Sequence, residues 1–562
     1  MTEDYGSRES VDSGGTPLLE RLRADEEREG KGRYAVLAAL ADHELVNLHT
    51  CVRESAAVEW VRRDSTAGFR VYQQSMMMLL QWAAQVCFPE YRLWVNHVLG
   101  GHYFCDFLGK KGVTAEELRP LAAMMRKWIQ EDTEIKYQKY LKTDAMELLL
   151  ENSCEDTVNM LEKLPVDPIY LHTMGPFAHY ACFVLASNAG ALDLFDLVPH
   201  DTGFLLRLPS VDTPEALAEI PRVEKLFQIF KESQIWARIM DVRDVGGLIR
   251  VVERGPEAVT ELIHINEALQ EKNIARVADD IYARLDRVRV ILIAGPSSSG
   301  KTTFSHRLAI QLRVLGLRPV SISMDDYFQD RDKVRFDEYG EPDFEGLGAL
   351  DLELFNEHLN WLIEGREISA PLYDFHLGKR SANGKNLKLE ERHPVIIEGI
   401  HALNDALTFS VDRDLKYKIY ISALAQMSID SSNRVSTTDA RLVRRMVRDH
   451  RYRSKQALDT LQMWPSVRRG EQANIFPYQE DADQMFNSAL LYELGVLKPL
   501  AEPLLKEIGR EEPFWTDAQR LMQLLAHFPS LPHYHVPMNS ILREFIGGGA
   551  IYGEKLVDEG ER

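Results

Sequence analysis

One glycine-rich turn constrains the fold of this chain more than any other feature. It reads Gly295-Pro-Ser-Ser-Ser-Gly-Lys-Thr302 and lies between the apolar run Val288–Ala294 and a helical pattern over Thr302–Leu315. A second apolar run, Pro319–Met324, follows the helix. A strand, a turn, a helix and another strand form a β-α-β unit, which predicts a parallel sheet covered by helices on both faces.

Two later apolar runs, Pro394–Ile397 and Leu415–Ile421, are predicted to join the same sheet, and from Met485 onward the pattern is helical. The residues before the turn mix amphipathic helices with short alternating strands, so the fold class is an α/β domain preceded by an α+β domain. The predicted divisions are a disordered tail (1–31), the α+β domain (32–210), a helical connector (211–286), the α/β domain (287–510) and a C-terminal helical extension (511–562).

Composition narrows the class of partner. The chain has 562 residues with 66 Lys and Arg against 86 Asp and Glu, a net charge of −20, which argues against a broad nucleic-acid or anionic-membrane surface. Its first residues are acidic, unlike a signal peptide, and the most apolar helical stretch, Met76–Phe88, is too short to span a membrane. The five cysteines are an odd number and show no close pairing in the sequence, so they indicate no disulfide framework. We expect a cytoplasmic protein with reduced thiols.

The turn has the spacing of a phosphate-binding loop. Its glycines allow the backbone to curl so that N–H groups and the helix N-terminus point at an anion, Lys301 reaches the β- and γ-phosphates, and Thr302 offers its hydroxyl to Mg²⁺. A chance Gly/Ser-rich turn is the alternative, but the flanking strand and helix argue against it. The predicted phosphate-binding residues are Gly295, Pro296, Ser297, Ser298, Ser299, Gly300, Lys301, Thr302 and Thr303.

Two acids follow predicted strands of the same sheet. Asp325 ends the second strand and Glu398 ends the strand Pro394–Ile397. Because the carboxyl ends of parallel strands open on one crevice, Asp325 is a candidate base for an acceptor hydroxyl and Glu398 a candidate magnesium ligand. The alternatives are an ordinary polar strand exit for Asp325 and a solvated acid for Glu398.

An arginine-rich segment runs from Arg441 to Arg453. At helical spacing its arginines share one face, where guanidinium groups could neutralise phosphate oxygens and act as a lid over a nucleotide. Taken alone, the segment is equally typical of an exposed charged helix.

With these motifs in this order, residues 288 to about 480 resemble the uridine kinase and phosphoribulokinase family. The resemblance implies ATP-dependent phosphorylation of a nucleoside 5′-hydroxyl with Mg²⁺ present. It implies that Asp325 is the catalytic aspartate, that Glu398 is linked to magnesium, and that Glu345 holds the ribose. It further assigns substrate contacts to Tyr373, Arg445 and Arg448, and lid positions to Arg444, Arg451 and Arg453.

The chain departs from the family at two places. Gly378 stands where authentic uridine-cytidine kinases have a base-reading His, with His376 two places earlier, and Gly346-Leu-Gly348 replaces the His-Pro-Asp that normally follows the ribose acid. A uridine- or cytidine-like nucleoside is the leading substrate. A kinase of another small alcohol, such as a sugar phosphate or pantothenate, stays open.

The flanking segments resemble bacterial nucleoside kinases that carry a domain similar to the second additional domain of threonyl-tRNA synthetase. That resemblance keeps a third reading open, an ATP-regulated RNA-binding protein, against which the net charge argues. We expect a homo-oligomer and no membrane partner. The first half holds His97, His102, Cys105, His172, His179 and Cys182. These could bind zinc, but their spacing differs from that of the synthetase, so buried core positions are favoured.

Overall fold

The computed structural model describes residues 15–29, 35–334, 336, 340, 343–374, 377–381 and 383–550. In the first half the strands are β1 (Thr16–Pro17), β2 (Val36–Ala41), β3 (Glu44–Val46), β4 (Cys51–Val52), β5 (Val58–Arg62), β6 (Leu93–Leu99), β7 (His102–Phe107), β8 (Lys136–Tyr140), β9 (Ile169–Met174), β10 (Phe177–His179), β11 (Asp196–His200) and β12 (Gly203–Arg207). Its helices are α1 (Leu18–Glu29), α2 (Thr66–Cys87), α3 (Ala115–Gln130), α4 (Lys142–Glu151) and α5 (Glu155–Lys163).

The first half is built from antiparallel sheets around a buried helix. Strands β11, β12, β7 and β6 form a four-stranded sheet in that order, and β10, β9 and β8 form a three-stranded one. Helix α2 contributes a row of apolar side chains, from Met76 to Leu80, that are almost fully buried. Burial of so many large apolar groups accounts for the length and apolar character of this helix. The expected α+β class is confirmed.

The predicted disordered tail is wrong over residues 16–29. Strand β1 pairs with β4, and α1 follows it directly. Leu18 and Leu22 of α1 are buried against Val36 and Ala39. The charged residues that suggested disorder occupy the other face of the helix, because two leucines one turn apart suffice to bury one side. Residues 1–14 and 30–31, the rest of the predicted tail, lie outside the described ranges.

Three helices connect the halves, and the α/β part follows. The connecting helices are α6 (Glu224–Ile239), α7 (Val245–Glu253) and α8 (Pro256–Ala283). The strands after them are β13 (Val290–Ala294), β14 (Val320–Ser323), β15 (Glu367–Ala370), β16 (Tyr373–Asp374), β17 (Lys379–Arg380), β18 (Lys385–Lys388), β19 (Val395–Glu398), β20 (Lys416–Ser422) and β21 (Gln484–Asn487). The helices are α9 (Lys301–Val314), α10 (Leu352–Ile363), α11 (Thr437–Arg453), α12 (Ala457–Asn474), α13 (Glu493–Lys506), α14 (Trp515–Ala526) and α15 (Arg543–Ile546).

A five-stranded parallel sheet organises this part, in the order β14-β19-β13-β20-β21. Strands β13 and β20 are buried along their whole length, which explains the continuous apolar sequence of β13. The four strands predicted from the sequence are confirmed. The helical pattern expected from Met485 onward is wrong at its start, because Gln484–Asn487 pairs with β20 as an edge strand. Four residues are too few for the two periodicities to differ.

The loop between β20 and α11 is held by the first half. The Val95 N–H donates to Ser431 O at 2.8 Å, and the Thr157 hydroxyl donates to Asp430 at 3.0 Å. Asp430 is fully buried and also accepts the backbone N–H groups of Ser432 and Asn433 at 2.8 and 2.7 Å. A buried carboxylate with several donors fixes its loop strongly. The two halves are therefore joined where α11 begins. No helix within the described ranges is long and apolar enough to cross a membrane.

Replacing Asp430 with alanine should lower the free energy of unfolding by about 2–4 kcal/mol, because four buried donor groups, the Asn433 side-chain amide among them, lose their acceptor. Urea denaturation of the full chain measures this change. The matched control is Asp414→Ala at an exposed position, for which we expect a change within about 0.5 kcal/mol. Equal effects of the two substitutions would contradict the anchoring role of Asp430.

Candidate active site

The glycine-rich loop lies at the carboxyl edge of β13 and curls tightly. A Cβ atom at Gly295 would lie 2.0 Å from Ile421 O, so only glycine allows this approach to β20. Gly300 has φ +83°, a left-handed conformation that glycine adopts freely. The Lys301 ammonium folds back over the loop and donates to Gly295 O at 2.8 Å and Pro296 O at 3.2 Å. The loop and the first turn of α9 thus form a cradle of backbone N–H groups suited to phosphate.

Asp325 and Glu398 lie beside Lys301, as the strand order requires. Strands β14, β19 and β13 are neighbours and parallel, so their carboxyl ends meet at one edge. The Ser323 hydroxyl donates to Glu398 at 3.2 Å. Burial, together with the charge of Asp325, raises the pKa of Glu398 to about 7, while Lys301 lowers it. The Asp325 side chain opens to the cleft. Desolvation by the surrounding protein raises the pKa of its carboxyl group, and the charge of Lys301 lowers it. The three groups therefore lie within electrostatic reach of one another.

The arginines of α11 are mostly buried. Arg441 is 1% exposed and Arg444 is 0% exposed. Arg441 donates to Glu471 at 2.7 Å and to Ser297 O at 3.2 Å, and Arg444 pairs with Glu493. The reading as an exposed charged helix is therefore wrong, because these guanidinium groups pack under the loop. The lid position predicted for Arg444 is also wrong, since a fully buried ion pair fixes this side chain.

The later arginines of α11 gather around one buried acid. Arg445, Arg448 and Arg453 contact Asp449 at 3.2, 2.7 and 3.5 Å. Arg445 also donates to the Ser297 hydroxyl at 2.7 Å, which brings it to the phosphate loop. Arg451 is exposed and lies over the Tyr452 ring. Positive charge thus collects on one side of the cradle.

Several acids of the site have no predicted role in the sequence. Glu471 accepts the Ser297 N–H at 3.0 Å, and Glu544 accepts the Thr303 N–H at 3.2 Å and its hydroxyl at 2.8 Å. Both belong to segments that carry the resemblance to nucleoside kinases, yet they are distant in sequence from the loop. No local pattern points to Glu471 or Glu493 as partners, because the burial of the arginines they pair with is a property of the fold.

Glu345 lies against α12, near Gly470 and Asn474. Asn474 donates to Glu345 O at 2.9 Å, and a Cβ atom at Gly470 would lie 2.6 Å from the Glu345 Cβ, so the glycine admits this side chain. Burial raises the pKa of Glu345 to about 7, and the charges of Glu471 and Asp325 add to this while Arg445 opposes it. The carboxyl group of Glu345 is therefore within electrostatic reach of the candidate base Asp325.

Tyr373 lies on the short strand β16, where its N–H donates to Asp326 at 3.2 Å. Its ring lies 5.8 Å from that of Phe328. Gly378 has φ +66° and lies against the Arg331 side chain, so this position serves a turn. His376, the other residue in question, lies outside the described ranges.

The oxygen donors at the edge of the sheet suit Mg²⁺. Thr302 offers a hydroxyl and Glu398 a carboxylate, and a magnesium ion held with a nucleotide uses one or two such protein ligands.

In the first half, His102 bonds Glu219 O at 2.9 Å and His97 stacks on Phe230. Within the described ranges, no group of three or more His, Cys, Asp or Glu side chains is arranged to hold a metal ion by itself.

A parallel sheet with a phosphate loop at its carboxyl edge and two carboxylates beside the loop lysine defines a P-loop phosphotransferase. The model of the phosphoribulokinase / uridine kinase family matches residues 290–491. Uridine kinase of Bacillus pumilus is 30% identical over 181 residues, which span 32% of this chain and 76% of that protein. Uridine kinase of Halalkalibacterium halodurans is 28% identical over 180 residues, with coverages of 32% and 76%.

The chain belongs to the phosphoribulokinase / uridine kinase family. It is an enzyme, a kinase of a nucleoside or another small alcohol. A solved structure of a possible uridine kinase from Bacillus stearothermophilus covers 37% of this chain and 100% of its own, at 18% identity and a TM-score of 0.25. The family match begins at residue 290, so the similarity of the first half to a threonyl-tRNA synthetase domain stays a prediction.

Replacing Glu345 with glutamine should flatten the pH dependence of stability between pH 5 and 7. A carboxyl whose folded pKa is about 7, against an ordinary value of 4.5, stabilises the fold fully below 4.5 and loses that contribution as pH rises through 7. The free energy of unfolding of E345Q, relative to that of the wild type, should therefore rise by about 1–3 kcal/mol between pH 5 and 8. Urea denaturation at several pH values measures this. The exposed control Glu391→Gln should keep the wild-type slope, and an unchanged slope in E345Q would contradict the buried, protonated carboxyl.

Proposed function

We propose that this enzyme transfers the γ-phosphoryl group of ATP to the 5′-hydroxyl of a uridine- or cytidine-like nucleoside. The observation that supports this most is the position of Asp325. Its carboxyl group opens to the cleft at the end of β14, within electrostatic reach of Lys301 on the phosphate loop. An acceptor hydroxyl bound to Asp325 would thus lie beside the terminal phosphate.

The donor side is the loop from Gly295 to Thr303. Its N–H groups and the α9 N-terminus would bind the phosphates, and Lys301 would move from its carbonyl partners to the β- and γ-oxygens. Thr302 and Glu398 would hold Mg²⁺, which when bound neutralises phosphate charge and orients the γ-phosphoryl group. Arg445 and Arg448 are proposed to stabilise charge on the transferring group, with Arg451 and Arg453 closing over it.

Asp325 supplies the acid–base step. Its carboxylate would accept a hydrogen bond from the sugar hydroxyl, whose oxygen attacks the γ-phosphorus while the bond to the β,γ-bridging oxygen breaks. The hydroxyl proton passes to Asp325 late, and ADP leaves. Because phosphoryl transfer depends mainly on positioning and charge, a carboxylate of modest basicity suffices.

The acceptor side rests on Glu345 and Tyr373. Glu345 is proposed to accept hydrogen bonds from ribose hydroxyls, and Tyr373 is proposed to contact the base. Gly378 supplies no base-reading side chain, so selectivity among bases is proposed to be broad. Another small alcohol, such as a sugar phosphate or pantothenate, is the second candidate acceptor. The homo-oligomer, the RNA-binding alternative and the domain divisions stay predictions.

Asp325→Asn should lower kcat by about 10²–10⁴ while the Kd for ATP changes little, because the amide cannot take the hydroxyl proton. Steady-state kinetics on a panel of nucleosides and other small alcohols, with ATP binding measured by calorimetry, tests this. The control is the neighbouring Asp326→Asn, which should stay within about tenfold of the wild-type kcat. Equal kcat in wild type and D325N would remove Asp325 from the reaction. Turnover of a sugar phosphate alone would favour the second acceptor.

A further inference from the structure

The C-terminal helix α15 places a carboxylate on the phosphate loop. Glu544 accepts hydrogen bonds from both the N–H and the hydroxyl of Thr303, the third residue of α9. The charge of Glu544 also acts on Lys301 and on Glu398, whose pKa values it raises. This acid therefore lies inside the cradle described above, although more than two hundred residues separate it from the loop in sequence.

The Thr303 N–H is a donor that a nucleotide requires. The first N–H groups of a helix have no partner within the helix, and in a phosphate loop they point at the α- and β-phosphates. A carboxylate on one of these donors takes the place of a phosphate oxygen. A second anion at the same donor would lie in contact with the first, and the two would repel each other.

Glu471 provides an instructive contrast. It also accepts a loop N–H, that of Ser297, but Arg441 and Arg468 neutralise it and it is 1% exposed. Among the described residues, no lysine or arginine forms an ion pair with Glu544, whose side chain is half-buried. Two arginines thus hold Glu471 against the loop. Among the described residues, no such cation holds the Glu544 side chain.

The backbone around Glu544 is firmly held, so only its side chain needs to move. Ile541 packs against Gly300, where an added Cβ would lie 2.4 Å from the isoleucine Cγ2. Phe545 is fully buried, with the Arg444 guanidinium 5.0 Å from its ring centre. Rotation about the side-chain bonds of Glu544 would release the Thr303 donor without displacing α15.

We propose that Glu544 is an internal competitor of the nucleotide: it occupies the Thr303 donor in the nucleotide-free enzyme and must swing away before the phosphates bind. The proposal rests on the proposed ATP site and adds a residue that sets its affinity. The apparent Kd for ATP is then raised by the share of molecules in which Glu544 occupies the donor.

The test compares ATP binding in the wild-type chain, E544A and E544Q, with Mg²⁺ present, by calorimetry. E544A should bind ATP about tenfold more tightly than the wild type, because the competing anion is gone. E544Q should fall between them, since the amide oxygen still accepts the N–H but carries no charge. The exposed control Glu511→Gln removes the same charge elsewhere in the C-terminal region and should match the wild type.

Thermal unfolding without nucleotide separates competition from simple support of the loop. E544A loses two hydrogen bonds at the start of α9, so its Tm should fall while its ATP affinity rises. A fall in both would overturn the proposal, as would an unchanged affinity with normal ATP binding by the wild type. ATP binding by E544A but not by the wild type would support the proposal. If neither protein binds ATP, the proposed function fails together with this inference.

Discussion

The phosphate loop depends on arginines buried beneath it. Arg441 and Arg444 of α11 reach loop carbonyl oxygens while their charges are balanced by Glu471 and Glu493. A charge taken out of water is costly unless it is paired and fully hydrogen-bonded, so these pairs allow few other arrangements. Ser297 shows the result: Glu471 takes its N–H and Arg441 its carbonyl oxygen. The curled loop is thereby fixed from below.

This arrangement makes the loop a meeting point of distant parts of the chain. The segment before α11 is anchored to the first half through Asp430, and Arg520 of α14 pairs with Asp439 near the start of the helix. The C-terminal residues reach the loop from the other side through Ile541 and Glu544. The regions outside the family match therefore contact the segments that hold the phosphate loop.

The sequence predicted those features that are encoded locally. The strand, loop and helix around Lys301 follow from a continuous apolar run, a glycine spacing and a helical period, all within one short stretch. The convergence of Asp325 and Glu398 followed from a general property of parallel sheets. The short edge strand β21 was missed because its neighbour β20, and not its own pattern, makes it a strand.

The partners of the charged residues could not be predicted in the same way. A helix with arginines at every third or fourth position has the same pattern whether it faces water or lies under a loop, so spacing alone could not distinguish the two for Arg444. Whether Arg444 is buried or exposed depends on where Glu493 lies in space, which is a long-range property of the fold. The same holds for Asp430 and Glu544, whose partners are hundreds of residues away.

The two neighbouring acids at the sheet edge are also distinguished by their surroundings. The charge of Asp325 raises the pKa of Glu398. Burial raises the pKa of Asp325, and three nearby cations, Lys301, Arg453 and Arg448, oppose this rise. Burial and the charge of Asp325 raise the pKa of Glu398 to about 7, and the cation Lys301 opposes this rise. The two acids thus differ in the cations around them: three stabilise the carboxylate of Asp325, the proposed base, and one stabilises that of Glu398, the proposed magnesium ligand.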